Sequence, residues 1–452
     1  MGAVEKAPVK PLEHLPLPEL CIHNGTILTM DEPGAIIEDG ALLIHGGRIT
    51  YCGPRGQMPA CPGARLLDAR GGLILPGLIN GHTHAAMTLM RGLADDLPLE
   101  QWLTEHIFPA ERNLTPEAVY WGSMLACAEM IRGGTTCFCD MYLFAHDVAR
   151  AVDQAGLRAV IGEVIYDFDS PSYGPLENGF AVSQDLVRQY QDHPRIKGAI
   201  MPHALYTCSP SLLERAGQMA QDLDCDLNIH MSETLHETNT IVERHGARPL
   251  AHAASLGLVN QRLWIDHAVD FNADEIERLA QADCRISLLP ESNMKLASGL
   301  ANLGRMLKCG LKLSLGTDGC ASNNDLDMFG EMDSCAKVHK AAVLNPQVPQ
   351  ARTVLELATR RGGQVFGQPG LGVLRQGALA DVIVMDMDQP HLTPLYNPYS
   401  HLVYAASGAD VLHSVCHGQV LMEDRRLLTM DEDEVLAKAR EQARLLTGRE
   451  VL

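Results

Sequence analysis

Apolar and polar positions alternate in a regular order along the middle of this chain. Between residues 73 and 315, short apolar runs typical of buried strands take turns with longer stretches whose apolar positions recur at helical spacing. Thr115 and Ser209 each precede a proline, as an N-cap precedes proline at the first helical position, and Gly133-Gly134 and Gly156 end predicted helices. The pattern therefore predicts strands that alternate with helices.

The predicted elements have the number and order of a barrel. The strands cover residues 73–79, 135–138, 157–165, 196–201, 226–229, 263–265, 285–288 and 311–315. The helices cover residues 116–132, 146–154, 182–191, 210–223, 237–245, 273–282 and 300–309. About eight strands over about 290 residues predict a (β/α)8 TIM-type barrel of the α/β class, and a doubly wound open sheet is the alternative.

Both ends of the chain have a β-type pattern instead. Residues 20–30 contain Asn24-Gly25 and residues 41–51 contain Gly46-Gly47, and such dipeptides between β-rich runs predict hairpins. Further strands are predicted at residues 380–386, 411–415 and 419–422. Neither end alone supplies enough strands to cover its apolar face. We therefore expect residues 1–72 and 370–452 to build one small β-sandwich domain beside a catalytic barrel of residues 73–369.

Composition narrows the class of protein. The 452 residues are 46% hydrophobic, enough for a large core, and the net charge of -20 disfavours nucleic acid and anionic membranes as partners. The 13 cysteines are odd in number and include no Cys-x-x-Cys pair, which favours reduced thiols in a cytoplasm. The sequence has no apolar run of about 18 residues, so we expect neither a signal peptide nor a membrane helix. Composition does not determine the oligomeric state, and it is compatible with a homodimer or a larger homo-oligomer.

The stretch from Pro76 to His84 carries the first candidate chemistry. His82 and His84 follow an apolar strand and lie two residues apart, so both imidazoles can point to one face and reach one ion. Among 19 histidines, one such pair is weak evidence, and two solvated loop histidines are the simpler interpretation. A metal site would therefore require further ligands from later parts of the chain.

Four other predicted strands also end in polar residues that can bind a metal: His203, His230, His267 and Asp318. In a barrel, the carboxyl ends of the strands meet at one face, where the chemistry takes place. Three imidazoles and one carboxylate suit zinc or Fe(II) with a position left open for water. Because such an ion makes water a nucleophile at neutral pH, the spacing predicts a metal-dependent hydrolase.

Several blocks of sequence also resemble a known family. They are PGLINGHTHAAMTLMRGLADDLPLEQWLTEHIFPAE, PHALYTCS, NIHMSETLHE, PESNMKLASG, LGTDGCASNNDLDMFGEM and GVLRQGALADVIVMD, in this order between residues 76 and 386. They resemble the amidohydrolase superfamily, in particular its branch of 5'-methylthioadenosine and S-adenosylhomocysteine deaminases, which includes chlorotriazine hydrolases. The resemblance implies a hydrolytic deaminase of purine nucleosides.

The resemblance also implies roles for individual residues. The ligands of one divalent ion, zinc by default with Fe2+ or Mn2+ as alternatives, would be His82, His84, His230 and Asp318. The catalytic residues would be Glu233, which moves a proton to the purine ring, His267, which orients the nucleophile, and Asp318. The substrate would be bound by Glu111 at the ribose, His203, Glu233 and Asp318. An acid at the start of a solvated helix is the simpler interpretation of Glu111.

The choice of substrate is less constrained. Family members that act on S-adenosylhomocysteine hold its carboxylate with arginines after the third barrel strand, but residues 163–180 contain Asp167, Asp169 and Glu177 and no Arg or Lys. This favours 5'-methylthioadenosine, then adenosine, over S-adenosylhomocysteine. Leu288 and Leu205 depart from the family pattern, and we expect Leu288 to alter the pocket beside Asp318. The alternatives are a guanine or triazine hydrolase and, more remotely, an inactive scaffold.

Overall fold

The structure is a computed structural model that describes residues 17–31 and 34–449. Its strands are β1 (Leu20–Leu28), β2 (Ile36–His45), β3 (Arg48–Pro54), β4 (Arg65–Asp68), β5 (Leu73–Pro76), β6 (Leu78–Thr83), β7 (Thr135–Tyr142), β8 (Arg158–Ile165), β9 (Ile196–Gly198), β10 (Met201–Pro202), β11 (Leu227–Met231), β12 (Leu263–His267), β13 (Arg285–Leu288), β14 (Lys312–Leu315), β15 (Val382–Met385), β16 (Val411–Cys416), β17 (Gln419–Glu423) and β18 (Arg426–Leu427).

The α-helices are α1 (Leu99–Gln101), α2 (Phe108–Glu111), α3 (Pro116–Arg132), α4 (Ala145–Ala155), α5 (Leu176–Gln189), α6 (Pro210–Asp222), α7 (Leu235–His245), α8 (Pro249–Ser255), α9 (Ala273–Gln281), α10 (Pro290–Lys295), α11 (Leu303–Lys308), α12 (Met328–Val343), α13 (Ala351–Leu357), α14 (Arg360–Val365), α15 (Pro398–Tyr404) and α16 (Glu432–Thr447). A π-helical segment, Trp102–Ile107, joins α1 to α2. The 3-10 segments are Arg55–Gln57, Ala85–Met90, Pro390–Leu392 and Gly408–Asp410.

Strands β6 to β14 form a closed parallel barrel. One sheet has the order β10-β8-β7-β6 with β9 beside β8, and the other has the order β11-β12-β13-β14. Parallel bridges from Ile200 to Leu227 and from Ala204 to His230 join the two sheets on one side. On the other side, the N–H of Asp318 donates to the carbonyl of His82 at 3.0 Å. This closure confirms the predicted (β/α)8 barrel over the open sheet.

The strands of the two chain ends share one sheet, which also includes β5 from the segment predicted to belong to the barrel, so the predicted β-sandwich stays a prediction. Its order is β18-β17-β16-β15-β5-β1-β2-β3, with β4 beside β1. Apolar residues from both ends, such as Ile22, Ile44, Val382 and Val415, form a hydrophobic core separate from that of the barrel. The small β domain is therefore built from residues far apart in the chain.

The apolar run over residues 73–79 forms two strands, whereas a single strand was predicted. β5 pairs with β15 in the small sheet, and β6 pairs with β7 in the barrel. Between them, the N–H of Gly77 donates to the carbonyl of Asp381 at 3.0 Å. A Cβ at Gly77 would lie 2.1 Å from the hydroxyl of Thr136, so this crossing requires glycine. One short segment thus passes from one sheet into the other.

The predicted hairpin at Asn24-Gly25 is wrong. β1 continues through these residues and changes partner there, pairing with β4 over Leu20 to His23 and with β5 from Thr26 onward. Asn24 adopts a φ of 62° and donates its amide to Asp68 at 2.7 Å. The dipeptide therefore forms a bulge within a strand. The hairpin at Gly46-Gly47, between β2 and β3, is confirmed.

The two helix starts predicted from N-cap residues are confirmed, whereas the helix predicted over residues 182–191 begins earlier, at Leu176. The side chain of Thr115 accepts from the N–H of Ala118 at the start of α3, and that of Ser209 accepts from the N–H of Leu212 at the start of α6. Helices α12 to α16 were not predicted, and α16 packs against α3 through Val435. Among the described residues, no helix has the length and apolar character needed to span a bilayer.

Candidate metal centre and active-site cavity

Three imidazoles and one carboxylate converge at the carboxyl end of the barrel. The Nε2 atom of His82 lies 3.3 Å from Nε2 of His84 and 3.1 Å from Nε2 of His230. Oδ1 of Asp318 lies 3.2 Å from Nε2 of His84 and 3.6 Å from Nε2 of His82. The structure thus brings together all four residues predicted to bind the metal, from strand ends far apart in sequence.

The Nδ1 atom of each imidazole points away from the cluster and lies close to an oxygen atom. Nδ1 of His84 lies 2.6 Å from the carbonyl of Met141, and Nδ1 of His230 lies 2.8 Å from the carbonyl of His203. Nδ1 of His82 lies 2.9 Å from Oδ2 of Asp266, although this contact is not aligned as a straight hydrogen bond. Carbonyls only accept, so Nδ1 of His84 and of His230 carries a proton, and Nε2 of each ring is the atom left to bind a metal.

This donor set fits a cation. Without a positive charge between them, three lone pairs and a carboxylate oxygen would repel one another at these distances. With one, they form the nitrogen and oxygen ligand set of a divalent metal, oriented by outer hydrogen-bond acceptors. The cluster of His82, His84 and His230 therefore supports a divalent metal site.

Asp318 is held so that one oxygen faces the histidines. It follows β14 with a φ of 65°, and its Oδ2 accepts from the hydroxyls of Ser292 at 2.7 Å and Ser322 at 2.9 Å. Burial alone would raise the pKa of Asp318, but the contact with His84 and the nearby imidazoles lower that pKa well below its usual range. Asp318 is therefore ionised, with Oδ1 free to face the metal and the reacting atoms.

Glu233 and His267 form a second pair beside this cluster. Oε2 of Glu233 lies 3.7 Å from Nε2 of His267, and Nδ1 of His267 lies 2.9 Å from Oδ1 of Asn293. Burial raises the pKa of Glu233, because a charged carboxylate is poorly solvated at this depth. Glu233 can therefore hold a proton nearer to neutral pH than an exposed glutamate can.

Both groups line a concave cavity at the carboxyl end of the barrel, the usual location of the active site in this fold. His203 lines it with its Nδ1 atom 2.8 Å from the hydroxyl of Thr207, and burial lowers the pKa of His203 to about 3, so this imidazole is neutral. Glu111 also lines the cavity, where desolvation raises its pKa to about 7. Every predicted site residue therefore faces this cavity or the metal cluster.

The roof of the cavity comes from one helical segment. Helices α1 and α2 and the π-helical turn between them contribute Leu99, Trp102, Leu103, Ile107 and Phe108, and α2 ends at Glu111. A π-turn adds one residue to a helical turn and is common at functional sites. Beyond the roof, the rings of Tyr166 and Phe168 stack at 3.8 Å. This apolar and aromatic wall was not predicted from the sequence.

The expected effect of Leu288 is not seen. Leu288 is buried, its carbonyl accepts from the N–H of Gly316 at 2.9 Å, and it is not one of the described residues that line the cavity. Leu205 is buried outside the lining too. The position facing the cavity from this side of the barrel is Leu296, in the loop after α10. Neither of these two departures therefore lies in the wall of the cavity among the described residues.

Fold and site together define a class. A closed (β/α)8 barrel with three histidines and an aspartate at the carboxyl ends of its strands, beside a buried acid, is the architecture of a metal-dependent hydrolase. The chain belongs to the amidohydrolase family, which matches residues 73–421. The resemblance found in the sequence motifs is thereby confirmed.

Individual relatives agree with this family. A protein of Syntrophobacter fumaroxidans named 5-methylthioadenosine/S-adenosylhomocysteine deaminase is 53% identical over 430 residues, which cover 95% of this chain and 98% of the relative. The crystal structure of an adenosine deaminase from Xanthomonas campestris with bound zinc is 37% identical, with a TM-score of 0.93, and covers 96% of this chain and 100% of that one. An atrazine chlorohydrolase from Arthrobacter aurescens, also with zinc, has a TM-score of 0.88 at 24% identity over 94% of this chain and 100% of its own, a likeness that shows the fold alone.

Proposed function

We propose that this chain hydrolyses the adenine amino group of 5'-methylthioadenosine, and less readily of adenosine or S-adenosylhomocysteine, to give the inosine analogue and ammonia. The observation that carries the proposal is the buried acid Glu233, which lies 3.7 Å from His267 beside the metal cluster. A relative that is 53% identical is named a deaminase of two of these nucleosides, and a neighbour that is 37% identical is an adenosine deaminase.

One divalent ion would be held by His82, His84, His230 and Asp318. Imidazole nitrogens and a carboxylate oxygen are usual zinc ligands, and the 37% identical neighbour contains zinc, so zinc is the first choice, with iron or manganese as alternatives. Such an ion supplies Lewis acidity, which allows water to react as a nucleophile at neutral pH.

The residues of the chain would move the protons. The ionised carboxylate of Asp318 takes a proton from water as the water oxygen bonds to C6 of the adenine. Glu233 gives its proton to ring nitrogen N1, as a general acid of raised pKa can. His267, held by Asn293, orients the attacking oxygen.

The second half of the reaction restores both acids. The hydroxyl on C6 returns a proton to Glu233 and becomes a carbonyl, while Asp318 passes its proton to the amino group. The bond from C6 to that nitrogen breaks, and ammonia leaves. The sum is one adenine nucleoside and one water converted to one inosine analogue and one ammonia.

The far end of the cavity supports an uncharged 5' substituent. Glu111 would bind the ribose hydroxyls and His203 would contact the base as a neutral imidazole. No Lys or Arg lines the cavity among the described residues. The acids of residues 163–180 do not supply a cation either: Asp167 accepts from the hydroxyl of Ser209 at 3.1 Å, and Glu177 pairs with Arg215 at 2.6 Å. A methylthio group suits these walls better than a carboxylate does.

We also infer a reducing compartment, the cytoplasm, for this enzyme. All 13 cysteines are free thiols in the structure, and many of them are buried. The oligomeric state stays a prediction.

The test of the proposed function is the Glu233→Gln variant. It should keep its metal and lose at least about 100-fold in the rate of ammonia release from adenine nucleosides, because general acid catalysis contributes about 100- to 10,000-fold. Glu243→Gln is the matched control, because it makes the same substitution at an exposed position of α7, and it should keep the wild-type rate. A metal-loaded Glu233→Gln protein with the wild-type rate would contradict the mechanism.

A further inference from the structure

The turn between β11 and α7 places Glu233, and it is held in an unusual way. Ser232 adopts a φ of 56°, in the left-handed region that residues other than glycine rarely occupy. Its N–H donates to Oε1 of Glu237 at 3.0 Å, and the N–H of Glu233 donates to Oε2 of the same side chain at 2.8 Å. Glu237 is 4% exposed, so water does not compete for these bonds.

The contact of Glu237 differs from ordinary helix capping. Glu237 lies three residues after the N-cap Thr234, whose hydroxyl accepts from its N–H at 3.0 Å. In α9, the glutamate at the same position returns to its own N-cap, since Glu275 accepts from the N–H of Asn272 at 2.9 Å. The side chain of Glu237 instead reaches past Thr234 to two earlier amides. It stabilises the turn before the helix.

A third bond connects this turn to the next strand end. The carbonyl of Ser232 accepts from the N–H of Asp270 at 2.9 Å, in the loop that follows His267. The conformation of Ser232 therefore fixes the position of Glu233 relative to His267. A strained left-handed residue persists only when its surroundings hold it, and here Glu237 provides two of the three contacts.

We infer that Glu237 is a positioning residue for the proposed deaminase reaction, because its carboxylate fixes the left-handed turn that directs Glu233 into the cavity. The inference rests on the proposed function. Two oxygens are needed for two amide donors, and a glutamine offers only one. An aspartate keeps both oxygens but is one methylene shorter, so it should not reach both amides.

The chain contains a matched control. Glu163 is also buried and also accepts from two successive amides, that of Phe144 at 3.2 Å and that of Ala145 at 2.8 Å. Phe144 is left-handed as well, with a φ of 53°. This second turn carries no reacting group. Glu163→Gln therefore breaks the same type of contact without moving Glu233.

The experiment compares kcat, KM and metal content of Glu237→Gln and Glu163→Gln, together with a crystal structure of Glu237→Gln. We expect Glu237→Gln to keep its metal and its KM and to lose tenfold or more in kcat, because a misplacement of about 1 Å can cost about 100-fold. Glu163→Gln should lose similar stability and keep its kcat. The crystal structure should show Ser232 or Glu233 displaced.

Equal losses of kcat in the two variants, or a kcat of Glu237→Gln within twofold of wild type, would overturn the inference. If Glu237→Gln does not fold, Glu237→Asp carries the test under the same criteria. The wild-type protein is assayed in parallel. A wild type that releases no ammonia from adenine nucleosides would instead contradict the proposed function, and the crystal structure would still decide the role of Glu237 in the turn.

Discussion

The Nδ1 atom of His82 lies 2.9 Å from Oδ2 of Asp266, and neither side chain is exposed to solvent. Asp266 is not among the residues that face the cavity, but its neighbour His267 is. Parallel pairing of β11 with β12 sets His230 opposite Asp266. One strand end therefore supports the metal cluster with one residue and presents the next residue to the substrate.

Metal affinity should depend on this contact. Replacing Asp266 with Asn removes the negative charge beside Nδ1 of His82. Loss of a residue that contacts a metal ligand in this way typically weakens metal binding about 10- to 100-fold. Titration against a chelator measures the change. Asp283→Asn is the control, because Asp283 pairs with Lys312 at the surface and should leave the affinity unchanged. Equal affinity of the Asp266→Asn and wild-type proteins would contradict the role given to Asp266.

The rim of the cavity should favour an uncharged nucleoside. We expect kcat/KM for 5'-methylthioadenosine to exceed that for S-adenosylhomocysteine by about tenfold or more, because no Lys or Arg of residues 17–31 and 34–449 lines the cavity to bind the carboxylate. Phe168 is half-exposed and stacks on Tyr166, which lines the cavity. Phe168→Arg should therefore reduce the ratio of the two kcat/KM values more than Phe168→Leu does. Steady-state kinetics on both substrates measures the ratios. A wild-type preference for S-adenosylhomocysteine would reverse the proposed order.

Stability should depend on pH through Glu163. Burial raises the pKa of Glu163 from 4.5 to about 7, although bonds from Ala145, Ser172 and Phe144 oppose the shift. Between these pH values, the folded chain holds a proton that the unfolded chain has lost, so this contribution to the free energy of unfolding falls as pH rises and levels off above about 7.

Urea unfolding at pH 5 and pH 8 measures this effect against Glu163→Gln, whose side chain does not titrate. The stability of the wild type relative to the variant should fall by on the order of 2 kcal/mol between the two pH values. Glu177→Gln is the control: pairing with Arg215 lowers the pKa of Glu177 below 4.5, so its contribution to stability is lost only in more acidic solution and should not change between pH 5 and pH 8. A difference from Glu163→Gln that does not change with pH would contradict the assignment.

A buried ion pair should be essential to stability at the other end of the barrel. Nε of Arg158 lies 2.7 Å from Oδ2 of Asp381, and both side chains are buried. This contact connects β8 of the barrel to the small sheet. Arg158→Met leaves an unpaired carboxylate and should cost about 3 to 5 kcal/mol, whereas Arg158→Met with Asp381→Asn should cost less. Denaturant unfolding measures both, and kcat per folded molecule should not change. A single variant as stable as wild type would contradict the argument.

The sequence predicted the elements that depend on local chemistry. The helix over residues 116–132 has the predicted bounds because Thr115, Pro116 and Gly133 mark both of its ends. The metal histidines could be found because each follows an apolar strand, and barrel topology brings strand ends together. The motifs added Glu233 and Glu111, which no spacing argument could assign.

The remaining site residues depend on register and backbone path. Asp266 on β12 contacts His82 on β6, and these two strands do not pair with each other, so the contact exists only because closure of the barrel brings their ends together. Asn24-Gly25 has the composition of a turn, but two flanking strands keep β1 extended through it. The π-turn over Trp102–Ile107 breaks the helical spacing from which the roof could have been predicted.

The crossing at Gly77 has a thermodynamic consequence. β5 ends at Pro76 and β6 begins at Leu78, so the central strand of the small sheet continues directly into the strand that carries His82 and is followed by His84. Because the cation binds only the native cluster, any local unfolding that displaces β6 also costs the binding free energy of the metal. Local unfolding that pulls β5 out of the small sheet displaces β6 as well, because the two strands are joined at Gly77. Amide exchange in β15, which shares no residue with the cluster, should therefore slow when the metal is loaded.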